Sequence, residues 1–299
     1  MKKTVFMGAA TAIITPLFED GSIDFESFAS LIDFQIAAGI DAIVVAGTTG
    51  EGSTLSDEEH RAVIDFCVKK VAHRVPVIAG TGSNDIAYAI ELTHAAEESG
   101  ADAMLLVTPY YNKATQAGLI KSFSAVADST SKPCILYNVP SRTGCNIQPE
   151  TAAELARHPN IVGIKEASGN ISQIAETARL CGEDFALYSG NDDQIVPVMS
   201  LGGKGVISVL SNLLPGETSK MCKLCLNGDY VSAAKMQLEY LPLINALFSE
   251  VNPIPVKAAM SAMGYGANAP RLPLTPISEA NGKKLFNEMA KLGINFTAG

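Results

Sequence analysis

The chain has 299 residues, 47% hydrophobic and 18% charged, with a formal net charge of −9. That length accommodates one large α/β domain with a small extension, or two domains, and the charge fraction lies below the usual quarter, as in chains that bury surface between subunits. The acidic balance without a basic stripe argues against nucleic acid as a partner, no apolar run is long enough to cross a bilayer, and Met1-Lys2-Lys3 leads into no signal-peptide core, so a cytoplasmic protein is expected.

Short runs rich in Val, Ile and Ala read as buried strands. In chain order they are Ala10–Thr15, Ala42–Ala46, Val75–Ala79, Ala103–Val107, Cys134–Asn138, Ile161–Lys165, Phe185–Ser189 and Gly205–Val209. Longer amphipathic stretches follow them, among them Phe25–Ala38, Asp57–Ala72, Asp85–Ser99 and Gln116–Ser129. Ser56 is placed as a helix N-cap, with Asp57, Glu58 and Glu59 in the first turn, where carboxylates favour the positive end of the helix dipole. The alternation completes eight units by residue 227, the count of an α/β fold of the (β/α)₈ or TIM-barrel type.

A doubly wound open sheet is the competing architecture, but no G-x-G-x-x-G follows the first strand. Instead polar residues end many different strands: Thr48 and Thr49, Thr108, Tyr137, Lys165, Ser189 and Ser208. A closed barrel brings such ends to one mouth. After Asn227-Gly228-Asp229 the alternation stops. Tyr230–Leu247, Pro255–Met263 and Ser278–Leu292 read as helices separated by Pro-rich loops. The expected organisation is a barrel over residues 1–228 and a C-terminal helical domain over residues 229–299.

Lys165 is the residue that core packing explains worst. It closes a buried strand, where an unpaired ammonium is costly, and it suits an amine nucleophile. Tyr137 ends the preceding strand and can relay a proton. Arg142, in the loop that follows Tyr137, offers a fork matched to a carboxylate. Gly47-Thr48-Thr49-Gly50-Glu51 combines exposed amides and hydroxyls in a glycine-flanked turn suited to a small anion. Tyr110 and Tyr111 sit side by side in the loop after the fourth strand, a placement that fits a subunit surface as well as a site.

No metal site is expected. Cys222 and Cys225 form a lone C-x-x-C without a second ligand pair, and the six cysteines are scattered as reduced thiols would be. His60, His73, His94 and His158 have no metal-ligand spacing and are read as structural or solvent-facing. Asn191-Asp192-Asp193 is read as an N-cap for the next helix. Gly202-Gly203-Lys204-Gly205 lacks the phosphate-loop spacing and precedes a strand.

Four segments together resemble the N-acetylneuraminate lyase and dihydrodipicolinate synthase superfamily of class I aldolases. They are Gly47-Thr48-Thr49-Gly50-Glu51, Tyr110-Tyr111, Tyr137-Asn138-Val139-Pro140-Ser141-Arg142-Thr143-Gly144 and Gly163-Ile164-Lys165-Glu166. The similarity runs over nearly the whole chain, helical tail included. The Arg-Thr-Gly at Arg142 is the pattern of the dihydrodipicolinate synthase branch, whereas sialic acid lyases usually lack that arginine.

The resemblance implies a Schiff base between Lys165 and pyruvate, and a proton relay of Thr48, Tyr137 and Tyr111, with Tyr111 reaching in from a neighbouring subunit. It implies that the amides of Thr48 and Thr49 hold the pyruvate carboxylate, that Arg142 binds L-aspartate 4-semialdehyde, and that Gly190 and Ile207 line the pocket. It further implies a homotetramer built as a dimer of dimers, and no metal or organic cofactor. A pyruvate-dependent aldolase acting on a sugar acid, of the N-acetylneuraminate or 2-keto-3-deoxygluconate type, is the alternative, and Arg142 speaks against it. Feedback-inhibited members bind lysine through a His, an Asn, a Glu and a Tyr. Here His60, Asn84 and Tyr110 match, but Tyr88 stands at the Glu position and Asp57 at a second His position, so weak or absent lysine inhibition is expected.

Overall fold

The computed structural model describes residues 2–297. Eight strands form a closed, all-parallel barrel in chain order: β1 (Gly8–Ala12), β2 (Ala42–Val45), β3 (Val77–Gly80), β4 (Ala103–Val107), β5 (Cys134–Asn138), β6 (Ile161–Glu166), β7 (Ala186–Ser189) and β8 (Gly205–Ser208). The predicted TIM barrel is therefore the observed fold.

Helices α1 (Phe25–Ala37), α2 (Asp57–Val71), α3 (Ile86–Glu98) and α4 (Gln116–Asp128) follow the first four strands. A single turn, α5 (Pro140–Thr143), and α6 (Pro149–Leu155) follow β5. Then come α7 (Ile171–Cys181), α8 (Ile195–Ser200) and α9 (Pro215–Leu226). The chain closes with α10 (Tyr230–Leu247), α11 (Ile254–Ala262) and α12 (Glu279–Lys291). Ser56 caps α2 as expected: its hydroxyl accepts from the Glu59 amide and the Glu59 carboxylate accepts from the Ser56 amide.

Strand residues alternate between two apolar layers. Ala10, Val44, Leu105, Ile135, Tyr188 and Ile207 point into the barrel. Their neighbours Ile43, Met104, Leu136, Ile164 and Val206 pack outward under the helices. Leu243 of α10, Met260 of α11 and Leu285 of α12 belong to this same outer core. The Tyr188 ring stacks on Phe6 at 4.4 Å between centroids, and its hydroxyl donates to Phe6 O.

Two local readings change. The first strand ends at Ala12 rather than Thr15, because the Ile14 amide donates to the Asn212 side chain instead of a strand neighbour. Asn191-Asp192-Asp193 does not cap a helix through a side chain. Asp192 turns inward, 2% exposed, and its Oδ2 accepts from the amides of Val209 and Leu210 at 2.9 Å each, fastening the loop beyond β8.

Candidate active site

The ladder places Tyr137 of β5 directly opposite Lys165 of β6. Both side chains are 6% exposed, and the Lys165 amine lies 4.2 Å from the centroid of the Tyr137 ring. Among the described residues no hydrogen bond or ion pair holds that amine. Gly190, just beyond β7, makes room for the lysine stem. A Cβ there would lie 2.6 Å from Ala167 Cβ and 3.2 Å from Lys165 Cε.

The other buried lysine is a useful contrast. Lys257 of α11 is 1% exposed, but its ammonium pairs with Glu51 and donates to Thr15 O at 3.3 Å. Burial pulls its pKa down and Glu51 opposes that pull. Lys257 thus serves structure, whereas Lys165 is a buried amine left free.

The Gly47–Glu51 turn follows β2 under visible strain. Ala46 (φ 54°) and Glu51 (φ 56°) both occupy the left-handed region, which costs of order 1 kcal/mol or more per non-glycine residue. Three contacts hold it there. Thr15 Oγ1 donates to Gly50 O at 2.7 Å, Lys257 anchors Glu51, and the Arg271 amide donates to Glu51 Oε2 at 2.8 Å. Among the described residues neither the Thr48 nor the Thr49 amide donates a hydrogen bond. Two unspent donors on a pinned turn have the chemistry that suits a small anion.

Thr48, Tyr137 and Arg142 line one cavity of about 340 Å³, together with Val107, Tyr110 and Val139. Thr49 sits behind the turn, 2% exposed, and its hydroxyl accepts from Asn252 Nδ2 at 3.0 Å. Lys165, Gly190 and Ile207 do not line this cavity: Lys165 lies against the Tyr137 ring that does, Gly190 lies beside the lysine stem, and Ile207 packs in the same interior layer as Tyr137. Arg142 stands exposed on α5, its Nη2 donating to Asn252 O at 3.2 Å. Tyr111 is not gathered in. It is 89% exposed, with φ 72°, and does not line the cavity.

A profile of the Dihydrodipicolinate synthetase family matches residues 5–291. The chain belongs to this family. The 4-hydroxy-tetrahydrodipicolinate synthase of Caldicellulosiruptor saccharolyticus is 55% identical over 291 residues, which are 97% of this chain and 98% of that one. The dihydrodipicolinate synthase structure from Aquifex aeolicus superposes with a TM-score of 0.96 at 44% identity, covering 98% of this chain and all of the other. The structure of the chloride-inhibited Acinetobacter baumannii enzyme, complexed with pyruvate, matches at a TM-score of 0.95 and 44% identity over 98% of this chain and 100% of that one. The chain is accordingly an enzyme, and lysine biosynthesis is the setting of its family.

Several residues of the site are not singled out by the sequence. Asn252 bridges Thr49 and Arg142 from a Pro-rich loop of the tail. Lys257 does leave a signal: it is the lone charge in the otherwise apolar run Val256–Met260. His60 is buried, as a structural histidine should be, with Nε2 2.9 Å from Gly80 O, and burial holds its pKa down. The thiols of Cys222 and Cys225 are free and raised by burial, that of Cys225 to about 11. Among the described residues no helix is long and apolar enough to cross a membrane.

Proposed function

We propose that the enzyme condenses pyruvate with L-aspartate 4-semialdehyde through a Schiff base on Lys165, the reaction of a 4-hydroxy-tetrahydrodipicolinate synthase. The observation that carries this reading is the buried, unpaired Lys165 amine lying against the Tyr137 ring. A relative complexed with pyruvate supports the first substrate, and the relatives' shared name supports the second.

The Lys165 nitrogen attacks the pyruvate ketone through its lone pair, and loss of water leaves an iminium. The Thr48 and Thr49 amides hold the pyruvate carboxylate. The iminium draws electrons from the adjacent methyl group, which gives up a proton to the Tyr137 relay with Thr48 and becomes the enamine carbon. That carbon forms a bond to the aldehyde carbon of the semialdehyde, whose oxygen takes a proton. The amine of the new chain then attacks the iminium carbon, closes the ring and releases Lys165. The iminium nitrogen supplies the electron sink, so the scheme calls on no metal or organic cofactor. Arg142 binds the semialdehyde carboxylate through its fork, while Gly190 and Ile207 shape the pocket beside the lysine.

The exposure of Tyr111 supports its insertion into a neighbouring subunit's relay, in a homotetramer built as a dimer of dimers in the cytoplasm. We further read residues 229–299 as a helical domain added to the barrel of residues 1–228. Tyr88 and His60 line the cavity beside Tyr110. With no Glu at this position a lysine effector's amino group lacks its charge partner, and lysine inhibition is weak or absent. Strong inhibition by millimolar lysine refutes that part.

Pyruvate with borohydride is the direct test of the chemistry. The reduced adduct adds mass at Lys165 and is lost in Lys165→Ala. An unmodified Lys165 in the native enzyme overturns the mechanism. An adduct without condensation of the semialdehyde returns the assignment to a sugar-acid aldolase.

A further inference from the structure

The outward face of a strand in a parallel barrel is ordinarily apolar, because helices cover it. β5 and β6 break that rule at one level. Beside the inward pair Tyr137 and Lys165, the next ladder position pairs Asn138 with Glu166, and successive side chains point to opposite faces. Asn138 is fully buried and Glu166 is 1% exposed. Among the described residues no lysine, arginine or histidine pairs with Glu166. Burial pushes its carboxyl up, opposed by hydrogen bonds from Asn138 and Ser168. A carboxylate kept in such a place costs stability that an apolar residue would not.

The hydrogen bonds are directed across the strands. Asn138 Nδ2 donates to Glu166 Oε1 and Oε2, at 3.2 and 3.0 Å, and to Asn146 Oδ1 at 2.8 Å. Asn138 Oδ1 accepts from the Ile147 amide at 2.9 Å, and Glu166 Oε1 accepts from the Ser168 amide at 2.7 Å. Asn146 and Gln173 complete the group with a reciprocal amide pair. Lower in the same ladder, between Cys134 and Ile135, the register shifts by a residue. A one-residue slip exchanges the two faces of a strand, so the backbone of this strand pair does not by itself guarantee which residues meet at the mouth.

We propose that Glu166 and Asn138 are positioning residues whose cross-strand hydrogen bonds lock β5 and β6 in the register that keeps the Tyr137 ring against the Lys165 amine. The proposal rests on the reading of Lys165 as the imine-forming residue. It assigns the buried carboxylate a task that neither substrate binding nor core packing requires.

Full-length native enzyme is compared with Glu166→Gln, Asn138→Asp and the double variant. The readout is the single-turnover rate of borohydride trapping at Lys165 with saturating pyruvate, measured well below each variant's melting temperature. Glu166→Gln sets an amide against an amide, two donors face to face. The double variant reverses the donor and acceptor, the carboxylate that Asn138→Asp introduces still accepts from the Ile147 amide, and a flip of the reciprocal Asn146–Gln173 amide pair turns the Asn146 Nδ2 donor toward it. Glu166→Gln is expected to slow trapping roughly tenfold or more, since misplacement of a reacting group by an ångström can cost that much or more. The double variant is expected to recover most of the native rate.

Trapping by Glu166→Gln at the native rate overturns the proposal, as does a double variant no faster than Glu166→Gln. Should Glu166→Gln not fold, Asn138→Ala takes its place: it deletes the cross-strand donor and leaves Glu166 intact. Slow trapping in Asn138→Ala supports the lock, and native speed refutes it. Absence of trapping in the native enzyme refutes the reading of Lys165 itself, and with it the role of the lock.

Discussion

Replacing Lys257 with methionine removes the ion pair at the foot of the Gly47–Glu51 turn, together with a longer hydrogen bond to Thr15 O. Lys257 and Glu51 are 1% and 3% exposed, so neither finds water when its partner is removed. Methionine fills most of the lysine stem's volume, which keeps the cavity cost small. What remains is a buried carboxylate without its cation, a loss of about 3–5 kcal/mol. At roughly 2–4 °C per kcal/mol for a chain of this size, the melting temperature should fall by about 10 °C.

Glu51 cannot be emptied without further cost, because its Oε2 also accepts from the Arg271 amide. Lys257→Met combined with Glu51→Gln keeps that acceptor and removes the charge, and should regain about half of the loss, since one buried amide group is left short of a partner. The assay is thermal unfolding by circular dichroism at neutral pH, with pyruvate KM measured on the folded enzyme. The Glu51 anchor sits next to Thr48 and Thr49, so KM should rise in Lys257→Met. A melting shift below about 2 °C would show that the pair does not hold the turn.

Three further outcomes follow from the same geometry. Gly190→Ala drives a Cβ to 2.6 Å from Ala167 Cβ and 3.2 Å from Lys165 Cε; overpacking of this kind costs about 1–3 kcal/mol, and borohydride trapping at Lys165 should slow at least as sharply as stability falls. Native trapping in that variant would remove Gly190 from the site. Arg142→Ala should reduce kcat/KM for the semialdehyde by roughly 10- to 150-fold, the worth of a charge-assisted hydrogen bond, while pyruvate trapping is little changed; equal loss in both assays rejects its assignment.

The third concerns pH. The Arg271 guanidinium grips both Glu59 oxygens at 2.6 Å and holds that carboxyl down at about 2, against an ordinary 4.5. A depressed folded pKa stabilises the native state above the unfolded value, and the contribution is lost as pH falls from about 4.5 toward 2. Because Glu59 is partly exposed, solvent screening reduces its share to about 1 kcal/mol. Arg271→Ala should flatten the acid limb of stability against pH by that amount, measured by urea unfolding across that window. An unchanged acid limb refutes the linkage.

The barrel is legible in the sequence because its signals are local. Eight Val- and Ile-rich runs, each followed by an amphipathic stretch, need no knowledge of distant residues, and the Ser56 capping box lies within four consecutive positions. Lys165 is legible as a candidate for chemistry because an ammonium is poorly explained as core at a strand end, and Tyr137 and Arg142 follow as candidate partners from the preceding strand and its loop. Asp192 misleads for the complementary reason. Asp after a strand and before a helix has the local form of an N-cap, and only the closed barrel brings the Val209 and Leu210 amides to it. Asn252 looks like an ordinary part of a Pro-rich loop and Lys257 shows only as a lone charge in an apolar run, and neither form reveals the contacts that bridge Thr49 with Arg142 and anchor Glu51.

The chain's order of residues thus determined the strand count, the parallel closure and the candidate groups at the strand ends, since hydrophobic periodicity and side-chain type act over a few residues. Tertiary structure alone decided which of two buried lysines is free. Lys165 and Lys257 are the same side chain in similarly apolar company. The barrel brings Glu51 to Lys257 across 206 residues of chain and sets the face of Tyr137 against Lys165, whose amine has no hydrogen-bond or ion-pair partner among the described residues. A charge's partner is a matter of distance in space, and spacing along the chain does not record it.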